Sequence, residues 1–195
     1  MSEFKTMVTN GISIDQYRIA VDFLASSKSD LVFPNSSIAH AGVVLSAMFK
    51  YSDKVVRIYD DSLDGDIAHN DKIFLDEIKN HLQKNRVLKI VVRDDQQFLE
   101  SPTYLLLRQF IISGNTNLQI RKASQKFATD ISAIYSKDIN FAVGDSNSVR
   151  IEEDVSTPDQ NQRKAICSFY RTKWATKLAT TFDSCFDSCP PMNFN

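Results

Sequence analysis

Short β-branched runs alternate along this chain with segments whose apolar residues recur every three or four positions, and that alternation constrains the fold more than any other feature. Lys54 to Tyr59, Val87 to Val92 and Leu118-Gln119-Ile120 read as strands. Between them, Asp71 to Lys84 turns Ile73, Phe74, Ile78 and Leu82 inward as a helix, and a second helix opens at Pro102 and closes at Gly114. Strands separated by helices pair mainly in parallel and need cover on both faces. The expected fold is therefore α/β, a mainly parallel or mixed sheet flanked by helices on both faces.

The rest of the chain fits that frame. Ser13 to Ser26 places Tyr17, Val21 and Leu24 on one helical face, with Ser13 as cap and Asp15 near the positive end of the dipole. Leu31-Val32-Phe33 reads as a short strand ended by Pro34. Ser36 or Ser37 caps a helix in which Ala41, Val44, Leu45, Met48 and Phe49 keep the helical period. Ser124 to Tyr135 is another helix. Asp138 to Glu152 reads as two strands joined at a turn around Asp145, Ser146 and Asn147. Glu152 to Asn161 is a polar loop, and Gln160 to Cys189 reads as the longest helix, with Ile166, Tyr170, Trp174, Leu178 and Phe182 at steps of four and a stop at Pro190-Pro191. One domain is expected over 1–195: a flexible stretch at 1–12, an N-terminal helix at 13–30 and an α/β core at 31–189.

At 195 residues, 43% hydrophobic and 24% charged, the chain can bury one substantial core without staples. A net charge of −1 gives no global field for nucleic acid or an anionic membrane. The longest apolar run, Ala41 to Phe49, is broken by Ser46 and falls far short of a membrane span. The amino terminus lacks a basic stretch followed by an apolar one, as a secretory signal requires. Cys167, Cys185 and Cys189 are an odd number near one end, which fits free thiols and a cytoplasmic setting.

Three groups of residues bear on chemistry. Counted from Asp60, the stretch to Asp71 has oxygen ligands at Asp60, Ser62 and Asp64, a Gly at 65 and a carboxylate at Asp71, the register of a calcium loop. Against it, a strand enters the loop where a helix should, so an acidic loop in which Asn70 or Asp71 caps the next helix is preferred. No cofactor is expected, with calcium or magnesium as the alternative. His40, His69 and His81 have no ligand or nucleophile at useful spacing, and surface or capping roles are expected. Arg86, Lys89 and Arg93, then Arg121, Lys122 and Lys126, then Arg163, Lys164, Arg171, Lys173 and Lys177 form basic groups interspersed with acids, which read as ion-paired surface. Cys185 and Cys189 stand one helical turn apart without further zinc ligands.

The segment Asp138-Ile139-Asn140-Phe141-Ala142-Val143-Gly144-Asp145 resembles the carboxyl-terminal part of a phospholipase D-like half domain, whose strand carries His-x-Lys and, four residues on, Asp. Lys54 to Asp95, with Val87-Leu88-Lys89-Ile90-Val91-Val92, resembles that family's preceding unit, and Ala165 to Tyr170 with Phe182-Asp183 resembles its last helix. With Asp145 in the family's Asp position, Asp138 stands where the nucleophilic His belongs and Asn140 where the phosphate-binding Lys belongs. A carboxylate repels a phosphodiester, and an amide brings no charge to hold one. The resemblance implies a phospholipase D-like fold without catalytic residues, serving as a binding or assembly module in a homo-oligomer or larger protein complex; the charge and the short apolar runs give the further expectation of no membrane association. The alternatives are a phosphodiesterase or nuclease-like enzyme with a non-standard, metal-assisted site, and a nucleic-acid-binding subunit, which the charge does not favour.

Overall fold

The central strands of the sheet are buried from end to end, as strands covered on both faces must be. The structure is a computed structural model, and it describes residues 13–35, 37–63, 72–153, 155, 164–192 and 194. In chain order the elements are α1 (Ile14–Ser26), β1 (Phe33–Asn35), α2 (Ile38–Tyr51), β2 (Val55–Asp60), α3 (Lys72–Gln83), β3 (Val87–Val92), α4 (Asp95–Glu100), α5 (Pro102–Ile112), β4 (Leu118–Lys122), α6 (Gln125–Tyr135), β5 (Asn140–Gly144), β6 (Ser148–Glu152), β7 (Ala165–Ser168) and α7 (Thr172–Phe186).

Seven strands form one sheet in the order β1-β7-β6-β5-β2-β3-β4. β2, β3 and β4 run parallel, each reached through helical crossovers, while β5, β6, β7 and β1 add as antiparallel neighbours. On one face Val56, Ile58, Leu88, Ile90 and Ala142 pack beneath α1, α2, α3 and α5. On the other, Tyr59, Val91, Phe141, Val143, Val149 and Ile151 pack beneath α6 and α7. Both layers are the ones the alternation predicts, and no helix among the described residues is long and apolar enough to cross a membrane.

The structure corrects the sequence reading locally. Ala165–Ser168 is not the start of the last helix but strand β7, wedged between β6 and β1; the four-residue steps of Ile166 and Tyr170 continue the helical period only in the sequence. The helix begins at Thr172 and keeps Leu178 and Phe182 inward. Pro34 does not end the first strand but lies inside it, where an edge strand tolerates a residue without an N–H. Asp95–Glu100 forms a short helix, capped by Asp94, that the sequence did not announce. Phe182 packs against Phe127, Phe141 and Phe186, and both Phe182 and Phe186 are buried in the chain's own core.

Candidate functional site

The carboxyl ends of the parallel strands carry most of the buried charge in the sheet, because β5, β6, β7 and β1 bring their matching ends to the same edge. Register aligns Asn35 with Ala165, Ala165 with Glu152, and Glu152 with Asn140. The alternation of side chains puts Asn35, Glu152, Asn140 and Asp60 on the face beneath α2. Asn140 and Glu152 are almost fully buried, so their polar atoms need partners within the protein.

They find them in each other and in two arginines. The Asn140 amide nitrogen donates to Glu152 Oε1 at 3.2 Å, and its carbonyl oxygen accepts from Arg93 Nη2. Arg93, just past β3, also donates to Asp61 Oδ1 at 2.7 Å and to the Ile139 carbonyl at 3.4 Å, with its guanidinium 4.5 Å above the Tyr59 ring. Arg150 donates to Glu152 Oε2 at 2.8 Å and to Asn35 Oδ1 at 2.9 Å. Burial opposes the Arg150 charge, but Glu152 more than restores it and the pKa is raised. The Asp60 carboxyl is pushed up to about 6, chiefly by burial and then by the charges of Glu152 and Asp61, against the Leu63 N–H and Arg93.

Above this network opens a cleft of about 820 Å³ lined by Asp61, Arg93, Lys137, Asp138, Glu153 and Lys164 among others. Its charges are largely matched in pairs: Arg93 holds Asp61, and Lys137 holds Glu153 at 2.9 Å. Asp138 is exposed and accepts from Ser132 Oγ at 2.6 Å. The position the resemblance gives to a nucleophilic imidazole therefore holds a carboxylate, and the position it gives to a lysine holds an amide saturated on both sides.

Asp145 lies at the opposite end of the sheet. Its carboxylate accepts the backbone N–H groups of Asp53, Lys54 and Val55 at 2.9–3.0 Å, and its φ of 51° makes the tight turn between β5 and β6. It ties the hairpin to the start of β2, a structural task.

The other sequence candidates separate. Asp60 and Ser62 are described, but Asp64 and Asp71 of the calcium register lie outside the described residues, as does His69. The Asp60 carboxylate accepts from Leu63 N at 3.2 Å and Ser62 N at 3.4 Å, closing its own turn, and no group of three or more metal-ligating side chains occurs among the described residues. His40 is half-buried near the capped start of α2 and stacks on Tyr17 at 3.9 Å, its Nδ1 buried without a partner. His81 is buried, not on the surface as expected, between the carbonyls of Phe49 and Val87. The three cysteines are buried free thiols. Of the basic groups read in the sequence, Arg86, Lys89, Arg93, Arg121, Lys122 and Lys126 are ion-paired, as expected, with Arg93 drawn into the cleft wall, whereas Lys164, Arg171, Lys173 and Lys177 form no ion pair among the described residues. Arg150 and Glu152 went unread; their signal is two charged residues spaced by two in a strand that otherwise alternates Val149 and Ile151.

No family model matches the chain, and no curated protein is similar to it in sequence. Solved structures do resemble it. TrmBL2, an archaeal chromatin protein described with a novel mode of DNA binding, superposes with a TM-score of 0.59 at 14% identity, over 83% of this chain and 53% of its own. Nuc from Salmonella typhimurium, a phospholipase D family member, superposes with a TM-score of 0.57 at 12% identity, over 84% of this chain and 98% of its own. NucT from Helicobacter pylori gives 0.54 at 12% identity, over 83% and 98%. The chain thus spans about half of the TrmBL2 chain and nearly all of Nuc and NucT. The fold is phospholipase D-like.

Proposed function

We propose that this chain is a phospholipase D-like module that binds a partner protein and does not hydrolyse phosphodiesters. The observation that carries the reading is the Asn140 side chain, clamped between Arg93 and Glu152 at the strand end where the resemblance calls for a phosphate-binding lysine. With Asp138 as its neighbour in the motif, the site has neither a nucleophile to take up a phosphoryl group nor an unpaired cation at that position to stabilise one. Losing both costs many orders of magnitude in rate, since each alone is worth several. Assembly, either as a homo-oligomer or within a larger complex, is the use this reading gives the scaffold, and the broad polar recess at one end of the sheet supports it.

Turnover of a chromogenic phosphodiester, with and without magnesium or calcium, tests the first half. The expected result is a rate equal to the buffer blank. Turnover that is lost in His40→Ala or Asp60→Ala would overturn the reading and establish a non-standard enzymatic site. Light scattering across a concentration series tests self-association.

A further inference from the structure

On the sheet face covered by α6 and α7, the cleft continues past Glu153 and Ile166 into a smaller pocket of about 290 Å³. Ile134 and Tyr135 from the last turn of α6, Ile166 from β7, and Trp174 and Leu178 from successive turns of α7 make its walls. This is the small end of the range for ligand pockets, with the composition such pockets favour: an apolar, aromatic lining and few polar groups. Trp174 is half-buried, and the Arg171 guanidinium lies 5.1 Å from its ring centre.

The rim is cationic. Lys177 lines the pocket, Lys173 stands one turn earlier on the same helix, and Lys164 lines the adjoining cleft. Lys164, Arg171, Lys173 and Lys177 form no ion pair among the described residues. The carboxylate in the lining, Glu153, is already matched by Lys137. By contrast, Arg57 and Lys89 hold Asp183, Arg93 holds Asp61, and Arg121 holds Asp187.

We propose that this pocket docks an acidic segment of a partner protein through a single aromatic side chain, with Lys164, Lys173 and Lys177 meeting carboxylates on either side of that anchor. The inference rests on the binding-module reading and names the chemistry of its partner. A peptide fits better than a nucleic acid. A nucleic-acid strand is followed by a stripe of cations and by open aromatic faces on which bases stack; here Lys164, Lys173 and Lys177 gather beside one apolar recess, and the Arg171 guanidinium lies over the ring of Trp174. An aromatic anchor in an apolar recess, ringed by charges complementary to its flanks, is by contrast how interface hot spots are built.

Trp174 is the chain's single tryptophan, so its emission reports on this pocket alone. The probe is a synthetic peptide of Asp and Glu around one central Phe, titrated into the full chain while that emission is followed. A saturable change is expected, weakened about tenfold or more when Ala replaces the Phe anchor and similarly in a Lys173→Glu, Lys177→Glu variant. Both lysines are exposed, so the variant keeps the fold, which a matching thermal transition confirms. The affinity should also fall as salt is raised. No saturable change, equal binding of the Ala peptide, or tighter binding of a single-stranded oligonucleotide in the same titration would overturn the proposal. Diester turnover by the same preparation separates the two failures. Turnover removes the binding-module reading itself, while a silent assay with no peptide binding removes only the pocket.

Discussion

Asp183 on α7 takes Arg57 Nη2 at 2.5 Å from β2 and Lys89 Nζ at 2.9 Å from β3, so one carboxylate fastens the helix across two strands. Arg57 is buried and also donates through Nη1 to the Asp145 carbonyl at 2.8 Å. Asp183→Asn should cost about 1–2 kcal/mol, the partial exposure of the carboxylate holding the figure below that of a fully buried pair. Urea unfolding at neutral pH measures it. Burial works to raise the Asp183 pKa, but Arg57 and Lys89 overcome it and hold the group below the ordinary carboxylate range. Its contribution is thus present above the unfolded pKa and is lost as pH falls through the depressed folded value. The variant should show a shallower acid limb.

Asp60 runs the other way. Its folded pKa, about 6, lies above the ordinary value of 3.8, so the folded state binds the proton more tightly than the unfolded chain does. The stability it contributes is complete below the unfolded pKa and is lost as pH rises through about 6. Asp60→Asn keeps an acceptor for the Ser62 and Leu63 N–H groups while removing the charge. It should be more stable than the parent by about 1–3 kcal/mol at pH 8, with the difference shrinking toward pH 4. Melting temperatures of the pair across that range decide it; a constant difference would refute the assignment.

The Arg150–Glu152 pair is nearly closed off from solvent. Removing one member strands the other, and Glu152→Gln should cost about 3 kcal/mol by leaving the Arg150 guanidinium buried without a counter-charge. Replacing both, as Arg150→Met with Glu152→Leu, should cost less than the two single changes together. Asn35 and Asn140 would then each lose a partner, so the double variant should remain below the parent. A double-mutant cycle by chemical denaturation gives the coupling directly.

The sequence announced the layered α/β plan because β-branched runs and helical periods are local signals, written within a few residues of each other. It failed where a local signal had two solutions. Ile166 and Tyr170 continue the period of α7 in the sequence, yet the free edges of β6 and β1 claim Ala165–Ser168 as a strand. The resemblance drew attention to Asp138 and Asn140, and the structure shows which side chains Asn140 holds. Its partners come from elsewhere in the sheet, Arg93 from just past β3 and Glu152 from β6, and a single sequence carries no mark of which distant side chains will meet across a sheet. The pocket around Trp174 was hidden for the same reason: its walls come from α6, β7 and α7.

Asn140 is also where introducing the family's lysine should be costly. An Asn140→Lys side chain can pair with Glu152, but it presents an ammonium to Arg93, which loses an acceptor and gains a like charge at close range. Glu152 would then serve two cations, Arg150 and the new lysine, while Arg93 keeps Asp61 and the Ile139 carbonyl. The expected cost is about 2–4 kcal/mol, from an uncompensated charge in a nearly buried position. Adding Asp138→His supplies an imidazole at an exposed position whose present side chain reaches Ser132 and not Asn140. An imidazole without a group to orient it is a poor nucleophile. The Asp138→His, Asn140→Lys protein should therefore melt below the parent and leave a chromogenic diester uncleaved. Measurable turnover by that variant would mean that the cleft is still arranged for phosphoryl transfer and that two side chains alone had silenced it.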